Sequence, residues 1–282
     1  MKADLFDVDG KKLRTIELPE QFNEEVRSDL IQRAVLAIQA NSRQPYGAFP
    51  QAGMRQSVEV SRRRRKYRGS YGHGISRVPR KVLWKRGRQF GWVGAFSPAT
   101  VGGRRAHPPK SEKVWDVKIN LKERRKAIRS ALAATLSEFL VKKRGHRFKQ
   151  LIPVIDSKAE AIFKTKEILS MLNKLGLEEE LSRTKEKRIR PGRGKTRGRP
   201  YQEKKGPLIV VSSKCNLLRS AKNIPGVDVC VVSNLNAELL APGSHPGRLT
   251  IFTERSIELM SKNNLFMNET KSEVKTPVKR ER

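Results

Sequence analysis

Apolar positions along this chain follow two readable periods at its ends and almost none in a long stretch between them. Lys2–Val8 alternates loosely and predicts a strand, Asp9-Gly10 a turn, and Arg14–Leu18 a returning hairpin partner that Pro19 ends. Val26, Leu30, Ala34, Val35 and Ile38 then recur at helical spacing, which predicts a helix with one buried face stopping at Asn41. Periodicity returns at Asn120, an N-cap candidate with Glu123 in the first turn. It opens a helix whose stripe is Leu121, Ile128, Leu132, Leu136 and Leu140 and which Gly145 closes. Leu151–Ile155 reads as a short buried strand. Ser157-Lys158-Ala159-Glu160 reads as a capping box opening a helix through Ile162, Ile168, Leu169, Leu172 and Leu175, with Gly176 as its stop. Leu208–Val211, Val227–Val232 and Leu249–Phe252 are apolar runs rich in β-branched residues. Short helices are expected at Cys215–Lys222 and Asn236–Leu240, and another begins in Thr253–Met260. Strands apolar on both faces, alternating with helices, predict an α/β fold: a single globular domain around a mainly parallel, helix-covered sheet.

The aperiodic stretch changes that picture. Residues 42–110 hold seventeen Lys/Arg and one acid, Glu59, leaving +16 of the chain's formal +33. The cations are Arg43, Arg55, Arg62, Arg63, Arg64, Arg65, Lys66, Arg68, Arg77, Arg80, Lys81, Lys85, Arg86, Arg88, Arg104, Arg105 and Lys110. Tyr46, Tyr67, Tyr71, Trp84, Phe90, Trp92 and Phe96 are interleaved with frequent glycine and proline. Such a composition excludes a long helix and leaves only short extended pieces, Val58–Val60 and Val82–Trp84, flanking a tip near Tyr67–Arg80. Cations neutralise phosphates and flat rings stack on bases, so a polyanion, RNA above all, is the partner this segment calls for. A second basic tract, 183–205, contains Arg190, Arg193, Lys195, Arg197 and Arg199 within RIRPGRGKTRGRP. The expected organisation is a body at 1–41 and 111–265, an extended basic loop at 42–110, a second basic loop at 183–205 and a disordered tail at 266–282. Trp115, and Trp92 with it, are candidates for anchoring the base of the long loop.

The common catalytic and ligand motifs are missing from the sequence. Gly194-Lys195-Thr196 ends like a phosphate-binding loop, but the required first glycine falls on Ile189 and no strand leads in. No dinucleotide fingerprint follows a strand, and no nucleophile elbow occurs. His73, His107, His146 and His245 are scattered, and His107 and His245 lie in proline-rich turns that read as structural. Cys215 and Cys230, each in or beside an apolar run, read as reduced thiols of a cytosolic protein. No run is long enough to span a membrane. The expectation is a protein with no catalytic activity, no cofactor, no metal, no membrane and no small-molecule substrate. Two rival classes stand beside it: an RNA-modifying enzyme on an α/β scaffold, and a basic DNA-compacting protein.

Five motifs in order then carry a resemblance over roughly residues 1–262. They are MKADLFDVDG, RSDLIQRAVLAIQANSRQPYG, GGRRAHPPK, KERRKAIRSALAAT and LAPGSHPGRLTIFTE. Together they resemble the large-subunit ribosomal protein family called L-four, in its archaeal form, since the long C-terminal extension of eukaryotic members is absent. The resemblance implies a structural constituent of the cytoplasmic large ribosomal subunit, bound to its rRNA and neighbouring proteins and assisting subunit assembly. It implies rRNA contacts for the cations named above, with Tyr46, Tyr67, Tyr71 and His107. It also implies a tip lining the polypeptide exit tunnel and facing the nascent chain: Lys66, Tyr67, Arg68, Gly69, Ser70, Tyr71, Gly72, His73, Gly74 and Arg77.

Overall fold

The computed structural model describes residues 1–268. Those residues divide into two compact units, one made of 1–41 with 116 onward and the other of Ser42–Trp115.

The first unit is an α/β body. Strands β1 (Lys2–Phe6) and β2 (Lys12–Glu17) form an antiparallel hairpin, and helix α1 (Ser28–Asn41) follows. The second unit holds β3 (Arg80–Arg86) and β4 (Gln89–Gly94). Back in the body come α2 (Leu121–Leu136), α3 (Glu138–Lys143), β5 (Val154–Ile155), α4 (Thr165–Lys174) and α5 (Glu178–Lys185). The hairpin β6 (Arg188–Ile189) and β7 (Tyr201–Gln202) precedes β8 (Leu208–Val211), α6 (Leu217–Ser220) and β9 (Asp228–Val231). Helix α7 (Ala237–Leu240), β10 (Thr250–Thr253) and α8 (Glu254–Lys262) complete it.

Six strands make one sheet in the order β2-β1-β5-β10-β8-β9, parallel everywhere except the β1–β2 edge. Alternate residues of each strand point to opposite faces, so one sheet feeds two cores. Leu5, Val154, Phe252, Leu208 and Val210 pack with Phe22 and the buried faces of α1, α2 and α8. Phe6, Ile155, Ile251, Ile209 and Val211 pack with Ile168, Met171 and Leu172 of α4 and Leu217 of α6. The mainly parallel, helix-covered sheet is therefore what the apolar runs predict.

Several local expectations differ. The face of α1 is rotated: Ile31, Ala34, Val35 and Ala37 are buried, while Val26 precedes the helix and is exposed. The helix expected from Asn120 to Gly145 breaks at Ser137, whose ψ of 105° is extended, and Asn120 makes no side-chain cap. Two contacts account for the break. Thr135 Oγ1 bonds back to the Leu132 carbonyl, a habit that bends helices. Gly247, at φ +90°, lies so near the Leu140 backbone that a Cβ would come within 2.8 Å, which seats α3 against the Pro242–Gly247 turn. Glu160 is no capping partner. Its buried carboxylate accepts from Ser212 N (2.8 Å), Ser212 Oγ (2.7 Å) and Thr253 Oγ1 (2.6 Å), clamping the ends of β8 and β10, while Asp156 caps the 157–161 turn. The strand expected at Leu151–Ile155 shrinks to two residues. Cys230 is buried but Cys215 only half so, and both are free thiols. Of the tail expected at 266–282, residues 269–282 lie outside the described residues; the Phe266 carbonyl accepts from Arg129 Nη1 at 2.6 Å.

Candidate nucleic-acid interface

Within the unit Ser42–Trp115, outgoing and returning chain lie side by side. Ala48 N donates to the Pro109 carbonyl at 2.9 Å. Gly47 abuts Ser111 and Gly53 abuts Arg104, each so closely that a Cβ would fall about 2.5–2.6 Å from backbone nitrogen. Glycine is needed there because backbone meets backbone. At this end Tyr46 and Trp115 stack with centroids 5.7 Å apart and planes 19° apart. The Arg43 guanidinium sits 3.7 Å over the Trp115 ring and Lys113 Nζ 4.4 Å from it. A cleft of about 820 Å³ opens here, lined by Tyr46, Arg105, His107, Lys110, Lys113 and Trp115.

Farther along, the aperiodic stretch carries the antiparallel pair β3–β4, turned by Gly87 at φ +57°. Val82–Trp84 falls in β3, whereas the Val58–Val60 region contributes only a bridge from Glu59 to Arg80. Trp92 is 6% exposed and gathers Phe90 (5.1 Å), His73 (5.3 Å) and Tyr67 (6.2 Å) around it, with Lys85 Nζ 5.4 Å over Tyr67. The aromatics thus give this unit a small core of its own. Trp84 lies against Gly91 so closely that no Cβ fits, and its outer side is exposed. Gly69 is buried in the turn it makes with Lys66 (Gly69 N to Lys66 O, 2.9 Å), while Gly72 and Gly74 adopt positive φ beside Ser70.

The cations of this unit sort into two sets. Arg43, Arg55, Lys66, Arg77, Arg80, Lys85 and Arg104 are engaged inside the unit. Lys66 pairs with Glu59 at 2.6 Å, Arg80 bonds Ser76 and the Trp92 carbonyl, and Arg55, Arg77 and Arg104 lie over Phe49, Tyr71 and Phe96. Glu59 is held below its usual range by the Lys66 hydrogen bond and charge. Arg62, Arg63, Arg64, Arg65, Arg68, Lys81, Arg86, Arg88, Arg105 and Lys110 are exposed, and none forms a salt bridge among the described residues. The second tract is a hairpin rather than a plain loop. Arg190 bonds the Arg199 and Tyr201 carbonyls at 3.2 Å each, leaving Arg193, Lys195, Arg197 and Arg199 outward around a turn closed by Gly198 at φ +75°. Phe49 and Lys113 complete aromatic–cation pairs that sequence reasoning passed over. The signal was present, an aromatic three residues after Tyr46 and a lysine two before Trp115, but neither spacing names a partner.

The chain matches the ribosomal protein L4/L1 family over residues 16–263. The chain belongs to that family. Among its relatives are proteins named large ribosomal subunit protein uL4 from three archaea. That of Nanoarchaeum equitans is 51% identical over 267 residues, covering 94% of this chain and all of the relative. That of Archaeoglobus fulgidus is 47% identical, covering 92% and 98%. That of Methanopyrus kandleri is 44% identical, again covering 92% and 98%. The cations of Ser42–Trp115 and of the Arg190–Arg199 tract in this family member lie inside the matched span. Among the described residues, no group of three or more His, Cys, Asp or Glu side chains could hold a metal ion, and no helix is long and apolar enough to cross a membrane.

Proposed function

We propose that the unit Ser42–Trp115 is an arm that rRNA encloses, in a chain that is a structural constituent of the cytoplasmic large ribosomal subunit and not an enzyme. Binding to large-subunit rRNA is the chemistry the family membership brings. The arm is where this sequence concentrates the means for it. The observation that carries the reading is the imbalance of charge: the ten exposed Lys/Arg side chains named above form no salt bridge among the described residues. An isolated protein gains nothing from such crowding, whereas each phosphate contact releases counterions. Trp115, Tyr46 and the cleft they share offer stacking surface for an unpaired base. By this reading Arg62–Arg65 and the turns from Lys66 to Arg77 form the distal tip, which lines the exit tunnel and meets the nascent polypeptide. The exposed rings of Tyr67 and Tyr71 and the glycines at 69, 72 and 74 support it. The outward face of the Arg193–Arg199 turn is a second rRNA contact. The rival DNA-compacting reading has no counterpart among the relatives' names.

The test is binding of a large-subunit rRNA fragment by a chain with Arg62, Arg63, Arg64 and Arg65 changed to Gln. The slope of log affinity against log salt should fall by about three to four, with an unchanged circular dichroism spectrum. An unchanged slope would remove these residues from the interface.

A further inference from the structure

A second concentration of positive charge belongs wholly to the body. A cavity of about 870 Å³ opens between the end of α3, α5, the β6–β7 hairpin and the Pro242–Gly247 turn. Lys143, Arg144, His146, Arg183, Arg188 and His245 line it, and its one acidic lining residue, Glu203, pairs with Lys187 at 3.1 Å.

Most acids nearby are already spent. Glu180 is fully buried and accepts from Arg183 Nε and Nη2 (2.8 and 2.7 Å), from His146 Nδ1 (2.6 Å) and from the Arg147 amide (3.0 Å). Lys204 pairs with Glu186, while Lys205 shares Asp228 with the buried Arg248. Three cations stay uncompensated. Among the described residues, Arg144 donates only to two carbonyls, Pro242 O at 2.5 Å and His245 O. Lys143, whose Nζ lies 5.9 Å from the exposed Phe139 ring, and Arg188 form no salt bridge among the described residues.

Arg144 is also the most awkwardly placed charge of the group. Burial pushes its pKa down to about 10, and the positive Arg248 and Arg183 guanidiniums add to that. A bound anion would oppose both effects. The chemistry selects the anion. Two guanidinium forks and an ammonium suit tetrahedral oxyanions with several acceptors. No phenyl, phenol or indole ring is among the described lining residues, so charged donors dominate the cavity wall.

We propose that this cavity is a phosphate-binding site, in which Arg144, Lys143 and Arg188 converge on one phosphate group. The group comes either from the backbone of an RNA strand or from a free polyphosphate. The site does not depend on the role of the arm.

Calorimetric titration of the full chain with tripolyphosphate, and separately with oligouridylate, tests it. To lower the arm's share of the binding, both titrations use a chain with Arg62–Arg65 changed to Gln. The comparison variant adds Lys143→Gln and Arg188→Gln at two exposed positions, with an unchanged circular dichroism spectrum as the check on folding. Affinity should fall tenfold or more. A loss that includes oligouridylate, with its salt slope lowered by about 1.4 for two single-strand contacts, assigns the RNA backbone as the source. A loss confined to tripolyphosphate assigns a free polyphosphate. Equal binding of both ligands by both chains overturns the site. Failure of the arm reading would appear separately, as rRNA binding that the four Arg→Gln changes leave untouched.

Discussion

Single residues here do two kinds of work, and their electrostatics tell them apart. Glu180 is structural. Its burial opposes ionisation, yet hydrogen bonds from Arg183, His146 and the Arg147 amide outweigh that and bring its pKa from 4.5 to about 2. A carboxylate depressed on folding stabilises the fold above its unfolded pKa. That contribution, about 3 kcal/mol for a shift of this size, disappears as pH falls from about 4.5 toward 2. Glu180→Gln should therefore lower the unfolding midpoint strongly at pH 7, with the gap to the parent narrowing toward pH 2. A gap independent of pH would show that Glu180 is not the ionised partner. Trp115 belongs to the other kind, a ring with cations against it and an open cleft beside it. Trp115→Ala should weaken binding to an rRNA fragment by about 5- to 150-fold, the usual range for base stacking, with the salt slope unchanged. Arg105→Gln with Lys110→Gln should do the reverse and lower the slope by up to two. Matching effects from both changes would mean that Trp115 only shapes the protein.

At the level of elements, legibility followed burial. Runs rich in β-branched apolar residues, such as Leu208–Val211 and Leu249–Phe252, suit central parallel strands, and the sequence pattern reads the observed Leu208–Val211 and Thr250–Thr253 to within a residue. Elements decided by a distant contact were illegible. Ser157-x-x-Glu160 satisfies a local capping pattern, but Glu160 is claimed by Ser212 and Thr253, about 50 and 90 residues away. The break at Ser137 depends on where Gly247 sits. In the arm, composition announced the cations and rings but not β4, because Gln89–Gly94 gains its order from Trp92 packing on Tyr67 and His73. The body has its own closure at the arm's root: Asn41 Oδ1 accepts from Val117 N at 2.8 Å, and Asn41 Nδ2 donates back to its carbonyl at 3.3 Å. Replacing Ser42–Trp115 with a short glycine linker should therefore leave a body that unfolds cooperatively, with its two cores complete. Loss of cooperative unfolding in that deletion would make the arm part of the fold.

For the whole molecule, charge is divided between what the fold needs and what it leaves over. Ion pairs such as Arg248 with Asp228 and Arg129 with Glu24 sit in the body and close its polar accounts. The surplus stays on Arg62–Arg65, Arg68, Arg105, Lys110 and the Arg193–Arg199 turn, where rRNA can neutralise it. An attachment made only of exposed charge contacts fails at about 0.5 M salt, where the Debye length is about 4 Å. An arm enclosed by folded rRNA cannot leave without unfolding its surroundings. Sedimentation of a native cell extract at that salt, with fractions probed for this chain, separates the two directly. Co-migration with the large ribosomal subunit is the predicted result, and a chain that stays at the top of the gradient would contradict the enclosed arm.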